Sequence, residues 1–544
     1  MTLAESVFPF GPRRAGVLPP IDLVGGKAWH LLRMAQADFP VPPGFAIGTE
    51  LCRRYYASGE ALPGDLGQIL TAQLAGLEAA TGSRLGGGRR PLLLSIRSGA
   101  AASMPGMLDT ILNVGLSRAS QSAMIRRTGL PRQFWDSYAR LVRSFGTTVH
   151  GIADATFEEI GRAVVARHRV DAEHRLDTRG SVELATAYEG HYRERLGEPF
   201  PEDPATQIEQ AIEAVLRSWR SPRAVHYRRL RSLPDDAGTA VIAQAMVFGN
   251  LGATSGTGVG FTRNPATGEP ELYLDYLSNA QGEDLVSGRR TALGADGLRA
   301  SAPALFERLA ASARALEQEL LDVQDFEFTV EEGRLWLLQT RPAKRTPWAA
   351  VRIAADLVRE GLIDRDTARA RLGELDLARV RRTRLDHEGI VTPIARGVPA
   401  SPGVASGPLT CSPARAVSLA AAGRPPILVR RDTSTDALEG MVAAAGLLTA
   451  VGSRTSHAAV VARQLDRTCV VGCGDLVVDE SARRCRLGGR ELAEGELLTL
   501  DGATGSVYAG VLRSVEERPD RYLAELGLAT GDRIGAARPL SLGR

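Results

Sequence analysis

Apolar residues recur at three- and four-residue intervals in FWDSYARLVRSFG, FEEIGRAVVARHR and IEQAIEAVLRSWR. That spacing puts one stripe of a helix into a core, and it predicts a mainly helical stretch from about 115 to 235. Ahead of it, residues 1 to about 110 mix short apolar runs with glycine-rich turns, and Leu92-Leu93-Leu94-Ser95-Ile96 reads as a buried strand entering a loop. Strand patterns return in AVIAQAMVF (240–248), ELYLDYL (271–277), FEFTVEEG (326–333) and RLWLLQTR (334–341), the last two forming a hairpin around Glu332-Gly333. A helical pattern resumes from Thr346 to about 375. The polar, arginine-rich RVRRTRLDHEG (379–389) reads as a hinge. GVPASPGVASGPL (397–409) restarts a segment, running to about 510, in which strands alternate with short helices. The polar remainder, 511–544, is expected to hold one helix, RYLAELGL, before a frayed tail. No internal repeat is visible.

The chain has 544 residues, enough for three or four domains. Its 44% hydrophobic and 24% charged residues are ordinary values for a globular protein, and a net charge of +3 suggests neither a nucleic-acid nor a membrane partner. No apolar run approaches the roughly 20 residues of a membrane-spanning helix. The N-terminus, MTLAESVFPFGPRR, lacks a basic region followed by an apolar core, so a cytoplasmic location is expected. Cys52, Cys411, Cys469, Cys473 and Cys485 are irregularly spaced and read as small buried thiols. Lysine and arginine total 66, yet only Lys27 and Lys344 are lysine. The two survivors mark places where a compact ammonium is wanted and a planar guanidinium does not fit.

Three segments carry candidate chemistry in the first two thirds of the chain. Gly25-Gly26-Lys27 opens a helical stretch, where adjacent glycines let backbone amides approach an anion and the helix N-terminus favours negative charge. Its spacing is not that of a P-loop. Ser95-Ile96-Arg97-Ser98-Gly99-Ala100 puts an arginine at a strand end, and Ser103-Met104-Pro105-Gly106-Met107-Leu108-Asp109-Thr110 follows as a flexible loop able to cover phosphates. Asp325-Phe326-Glu327 alternates acid, apolar, acid, so both carboxylates share one strand face and Phe326 enters the core. Such a pair repels unless a cation sits between, and Mg2+ on ATP phosphates suits an all-oxygen site. Gln339 and Arg341 share a face of the next strand.

GGKA, SIRSGAAASMPGMLDTILNVGL (95–116), MVFGNLGATSGTGVGFTRNPATGE (246–269), NAQGED (279–284) and QDFEFTVEEGRLWLLQTRPAKRT (324–346) together resemble the ATP-grasp nucleotide-binding half of the pyruvate, phosphate dikinase family. That resemblance implies that Lys27, Arg97 and Arg341 hold phosphates and stabilise charge in transfer. It implies that the Gly106 loop covers the γ-phosphate and that Glu283 contacts the nucleotide. Asp325, Glu327 and Gln339 would serve the metal and the phosphates, with Mg2+ and ATP as cofactors.

Gly446-Leu447-Leu448-Thr449-Ala450 reads as a buried strand, and a helix follows from His457, with Thr455 or Ser456 as its N-cap. A histidine on a first helical turn has free amides and the helix dipole beside it, which stabilise a phosphate on its ring. It is nucleophilic when neutral, and its phosphoramidate transfers onward readily. Thr-Ser-His-Ala-Ala-Val-Val-Ala-Arg, with PASPGVASGPL, ILVRRDTSTDALEGMVAAAGLLTA (427–450), CVVGC and DGATGSVYAG, resembles the swivelling phosphohistidine domain of PEP-utilising enzymes. Where that family reads Gly-Gly-Met-Thr-Ser-His, this chain has Gly452-Ser453-Arg454-Thr455-Ser456-His457. Arg454 thus adds a cation beside the phosphate, and Thr455 matches a threonine that a regulatory kinase modifies in some relatives.

The resemblance implies a multidomain α/β and α+β fold: an ATP-grasp region with a helical insertion, then a compact α/β swivelling domain. The expected divisions are 1–114 and 239–345 for the two ATP-grasp subdomains, 115–238 for the insertion, 346–395 for a helical linker and hinge, 396–512 for the phosphohistidine domain and 513–544 for a polar tail. The family continues into a TIM barrel of about 250 residues. With 34 residues after Gly510, that barrel is expected to be missing. The implied activity is phosphoryl transfer from ATP to His457, with AMP formed and orthophosphate as co-substrate giving pyrophosphate. The phosphoryl group then passes to an unidentified acceptor, by family pyruvate, bound elsewhere or on a separate acceptor-binding protein. Two other readings stand beside it: a regulatory or carrier ATP-binding phosphoprotein without turnover, and an antibiotic or small-molecule phosphotransferase like the rifampicin phosphotransferases.

Overall fold

The computed structural model describes residues 2–12, 17–102, 104, 108–230, 232–286, 292–373, 375–386, 391–432, 437–452, 454, 456–465 and 467–529. It divides into two units, Met1–Ser255 with Phe328–Arg341, and Gly256–Glu327 with Pro342–Arg544.

Five strands form the sheet of the first unit: β1 (Val7–Phe10), β2 (Gly44–Ile47), β5 (Leu94–Gly99), β6 (Thr110–Val114) and β7 (Ala240–Ala245), in the order β1-β2-β7-β5-β6. All neighbours are antiparallel. All six residues of the central β7 are buried, so both faces of the sheet are covered there. A short pair, β3 (Arg84–Leu85) and β4 (Pro91–Leu92), precedes β5. Residues 1–110 also hold α1 (Ile21–Gln36), α2 (Glu50–Ala57) and α3 (Leu66–Thr81). The sequence pattern shows only the start of α1. Glycine-rich turns between the three helices break the periodicity into windows too short to read.

Between β6 and β7 the chain is helical: α4 (Gln121–Thr128), α5 (Pro131–Thr148), α6 (Asp154–Arg167), α7 (Thr178–Leu196), α8 (Pro204–Ser218) and α9 (Pro222–Leu230). Asp177 caps α7 by accepting from the Gly180 N–H, and Asp203 caps α8 through the Thr206 N–H. The apolar stripes meet in an aromatic core of Phe134, Tyr138, Phe145, Phe157, Tyr188 and Tyr192. Phe134 and Tyr138 stack, and Phe157 meets Tyr188 edge to face.

The second unit opens with the antiparallel pair β8 (Gly256–Phe261) and β9 (Tyr273–Ser278). Helices α10 (Gly282–Val286), α11 (Ala295–Ser301) and α12 (Pro303–Leu320) follow. The division between the units runs through β10 (Gln324–Glu331) and the end of β11 (Arg334–Pro342). Within the second unit, the Thr262 N–H donates to the Gln324 carbonyl at 2.9 Å, which seats the start of β10 beside the end of β8. Helices α13 (Pro347–Arg359) and α14 (Arg365–Leu372) complete this part. A buried ion network fastens it: Arg263 donates from Nε to Glu317 Oε1 at 3.0 Å, from Nη2 to Oε2 at 2.8 Å, and to Glu360.

The described parts of the arginine-rich hinge and of the polar tail pair with each other. β12 (Arg382–Leu385) pairs antiparallel with β24 (Ser514–Glu517), and Arg382 donates twice to the Glu517 carboxylate. Beyond β24, α18 (Asp520–Glu525) buries Leu523, with Leu526 beside it, in the same core as Trp348, Val351 and Leu372. Charge alternation hides this strand pair in the sequence, because its stabilising partners are ions rather than apolar residues.

Between the paired strands lies an eight-stranded sheet: β13 (Ala395–Arg396), β14 (Val398–Ser401), β15 (Val404–Thr410), β16 (Ile427–Arg430), β17 (Gly446–Thr449), β18 (Thr468–Val471), β22 (Leu497–Asp501) and β23 (Ser506–Ala509), in the order β13-β23-β22-β15-β16-β17-β18-β14. The run β15-β16-β17-β18 is parallel, and every residue of β17 and β18 is buried, as parallel strands covered on both faces require. Helices α15 (Pro413–Ala421), α16 (Leu438–Ala443) and α17 (His457–Gln464) are the crossovers, and β19 (Leu476–Asp479), β20 (Arg484–Leu487) and β21 (Arg490–Ala493) form a small separate sheet. All five cysteines are buried free thiols, and burial pushes Cys469 up to about 12.

Candidate active site

In the first unit, the Gly-Gly-Lys segment does a different job from the one its sequence suggests. Gly25 breaks α1 with φ 75°, and a Cβ built on it would lie 2.1 Å from the Gly99 carbonyl oxygen. The glycine is needed for close approach to the end of β5. The Gly26 N–H donates to the Ala100 carbonyl at 2.9 Å, so this amide holds the loop rather than an anion. Together the two glycines seat the turn that carries Lys27 directly on the Gly99-Ala100 backbone. His30, one turn further along α1, donates from Nδ1 to the Gly26 carbonyl at 2.7 Å. Burial holds its imidazole below the usual histidine range, so it stays neutral.

Arg97 lies on β5, two residues before Gly99. Its Nη2 donates to Gln339 Oε1 at 2.9 Å and its Nη1 to the Leu338 carbonyl at 3.3 Å. Two residues singled out in distant parts of the sequence are therefore in contact, and Lys27 is carried on the same end of β5. Gln339 is buried, and its amide oxygen keeps a second lone pair. Arg341 follows it on β11, half-buried. The hairpin turn ahead of β11 has both Glu332 (φ 47°) and Gly333 (φ 80°) in the left-handed region, the geometry of a tight two-residue hairpin. Gly106 lies outside the described residues.

In the second unit, β10 alternates as read: Asp325 and Glu327 are half-buried and Phe326 is fully buried. Two carboxylates on one strand face are a hard, all-oxygen donor set, which fits a cation such as Mg2+. Among the described residues, no group of three or more His, Cys, Asp or Glu side chains gathers as a metal cluster. A cation held by this pair would complete its shell with water or phosphate oxygens. Glu283 sits exposed in α10.

His457 is the first residue of α17, directly after Ser456 in the N-cap position (φ −63°, ψ 161°). The His457 side chain and Thr455 lie outside the described residues. Ser456 Oγ makes no capping bond, and it is buried without a hydrogen-bond partner among the described residues. Ala458, Ala459 and Ala462 bury the back of the helix against β17 and β18. Arg454, read as a cation offered to the phosphate, is instead engaged by β9, where its Nη1 donates to Asp275 Oδ1 at 3.0 Å. Asp275, Tyr273 and His30 were not among the candidates. The signal for Asp275 was there: a carboxylate inside the apolar strand YLDYL must find a buried cation.

The first unit thus has a cation-bearing strand end, and the second has a pair of acids on β10 and a histidine at a helix start, residue types suited to nucleotide handling and phosphoryl carriage. Comparison with known proteins agrees. Residues 60–293 match the family model "Pyruvate phosphate dikinase, AMP/ATP-binding domain", and residues 423–505 match "PEP-utilising enzyme, mobile domain". The chain is 44% identical over 519 residues to pyruvate, phosphate dikinase 1, chloroplastic, of Oryza sativa subsp. japonica, covering 94% of this chain and 54% of the relative. It is 42% identical over 498 residues to pyruvate, phosphate dikinase of Clostridium symbiosum (91% and 57%). It is 42% identical over 521 residues to that of Rhizobium meliloti (strain 1021) (93% and 58%). The chain spans just over half the length of these curated relatives. Among the described residues, no helix is long and apolar enough to cross a membrane.

Proposed function

We propose that this chain catalyses the ATP half of a pyruvate, phosphate dikinase reaction: His457 takes a phosphoryl group from ATP, orthophosphate takes the other, and AMP and pyrophosphate leave. The carrying observation is that one chain matches both the AMP/ATP-binding model and the mobile-domain model, with His457 at the first position of α17 inside the latter. Lys27, Arg97 and Arg341 hold the phosphates and stabilise charge as it moves to the leaving oxygen. Gln339 fixes the plane of the Arg97 guanidinium, so its donors point in one direction. The Gly106 loop covers the γ-phosphate and Glu283 contacts the nucleotide. Asp325, Glu327 and Gln339 are the residues that would hold Mg2+, which when bound neutralises phosphate charge. Neutral His457 attacks phosphorus in line, and the α17 N-terminus then stabilises the phosphohistidine. Pyruvate is the acceptor that this reading assigns to the onward step, and Thr455 is its candidate regulatory phosphosite.

The test is incubation with Mg-ATP, with and without orthophosphate, assaying AMP, pyrophosphate and acid-labile label. Orthophosphate-dependent AMP and pyrophosphate, with one labelled histidine per chain that His457→Ala removes, is the expected result. Full labelling of His457→Ala would refute the assignment. A single stoichiometric labelling without sustained AMP production in the presence of pyruvate would favour the carrier reading.

A further inference from the structure

The loop ahead of His457 is fastened to strand β9 by one arginine. Arg454 Nη1 donates to Asp275 Oδ1 at 3.0 Å and to the Leu274 carbonyl at 2.6 Å, and the Arg454 backbone N–H reaches Asp275 Oδ2 at 3.3 Å. Its guanidinium carbon lies 3.8 Å from the centroid of the Tyr273 ring. The Tyr273 hydroxyl donates to the Pro399 carbonyl at 2.8 Å, a second tie between β9 and the phosphohistidine domain. Arg463, on α17, closes the arrangement by donating to the carbonyls of Arg454 and Ala400, both at 2.8 Å. The side chains of Arg454 and Asp275 are 15% and 3% exposed, so the pair is largely dry.

β9 is paired with β8, and the end of β8 meets the start of β10, which bears Asp325 and Glu327. Three Cα–Cα steps separate Arg454 from His457, a reach of about 10 Å. The contact therefore holds the histidine loop on the sheet that carries the candidate metal carboxylates.

We infer that Arg454, with Asp275 and Tyr273, is a docking latch that positions His457 for charging; this rests on the phosphohistidine reading above. Arg454 is a positioning residue, and its guanidinium serves the dock rather than the phosphate. An ion pair suits a contact that must be left once per turnover. Its Coulomb attraction roughly cancels the desolvation of two charges, so it fixes one register without gluing the surfaces together. An apolar patch of the same size would bind with no such balance. Removing only the arginine breaks this balance, because Asp275 is then buried without its cation. The docked state suffers, whereas the undocked state hydrates the carboxylate.

The test uses the full chain with Arg454→Met, Asp275→Asn and the double variant. Glu271→Cys and Arg483→Cys, both at exposed positions, carry spin labels in each background; the native cysteines are all buried. The parent should give one narrow distance distribution and R454M a broad one shifted to longer distance. In single-turnover labelling at saturating Mg-ATP, R454M should charge at least tenfold more slowly with an unchanged Kd for ATP. The R454M/D275N pair should recover part of that loss, because no orphan carboxylate remains. R454M with the parent's distances and charging rate overturns the latch, as does a double variant slower than the product of the single effects. A parent chain that takes no label sinks the phosphohistidine reading instead; the distances then judge the latch alone, and an unchanged distribution in R454M overturns it.

Discussion

Arg97 and Gln339, 242 positions apart, meet through a 2.9 Å hydrogen bond from Nη2 to Oε1. With Arg97 Nη1 on the Leu338 carbonyl, the guanidinium is held in one plane at the end of β5. A fork of fixed donors recognises phosphate far better than a mobile one. Gln339→Leu keeps the bulk and removes the acceptor. Mg-ATP affinity by calorimetry should fall about tenfold, roughly the 1–1.5 kcal/mol of one hydrogen bond. The melting temperature should change little. Parent affinity in Q339L would show that Arg97 needs no such support.

Gly25→Ala should act on folding and on nucleotide binding together. The new Cβ meets the Gly99 oxygen at 2.1 Å in a left-handed backbone conformation, and backbone cannot give way as a flexible side chain would. The expected loss is about 2–4 kcal/mol in denaturant unfolding, with weaker Mg-ATP binding because the Lys27 turn is displaced. By contrast, Gly64→Ala, which meets nothing within 4 Å, should be close to neutral and serves as the control.

How far these features can be read from the sequence depends on what stabilises each one. The strand alternation of Asp325-Phe326-Glu327 and the helical stripes of α5, α6 and α8 are local patterns, and the structure reproduces them. The Arg97–Gln339 and Arg454–Asp275 contacts depend on which distant strands become neighbours, which no local window records. Gly-Gly before Lys27 does signal a close approach, but the sequence does not say whether the approaching group is an anion or another stretch of backbone. Here it is the Gly99–Ala100 carbonyls. The C-terminal strand pair escapes notice for a related reason: Arg382–Glu517 and Arg381–Glu516 are ion pairs, and in sequence charged residues look like solvent-facing linker.

His30 gives the fold a pH dependence of known sign. Burial depresses its folded pKa below the ordinary 6.5, so the unfolded chain binds a proton that the folded chain refuses. Stability is therefore full above about pH 6.5 and falls as the pH drops from there toward the folded value. The Nδ1 bond to the Gly26 carbonyl survives protonation and opposes part of this burial effect. His30→Asn should flatten the slope of unfolding free energy between pH 7 and pH 5. An identical slope in parent and variant would count against this group.

The segment after β24 should be structural. Leu523 and Leu526 are 1% and 0% exposed in the core built on α13 and α14. Leu526→Ala should cost about 2–4 kcal/mol by chemical denaturation, the usual range for a buried leucine truncated to alanine. Leu528, only partly buried at the same core, should cost less when replaced. A neutral Leu526→Ala would mean that the segment is a dispensable tail.

The two acids of β10 allow the sharpest separation of folding from chemistry. They share one strand face, and the buried Phe326 between them is the strand's apolar anchor. Two like charges on neighbouring same-face positions oppose each other unless a cation intervenes. Asp325→Asn and Glu327→Gln keep each side chain's size and hydrogen-bonding reach and should leave the metal-free melting temperature close to the parent's. They should also remove the stabilisation that Mg-ATP gives the parent, because binding to the folded state raises the melting temperature only while affinity survives. Labelling of His457 should drop at least a hundredfold in each variant, with the apparent Mg2+ requirement shifted upward. If both variants instead melt lower without metal and still gain full stabilisation from Mg-ATP, the acids are structural and the cation is held elsewhere.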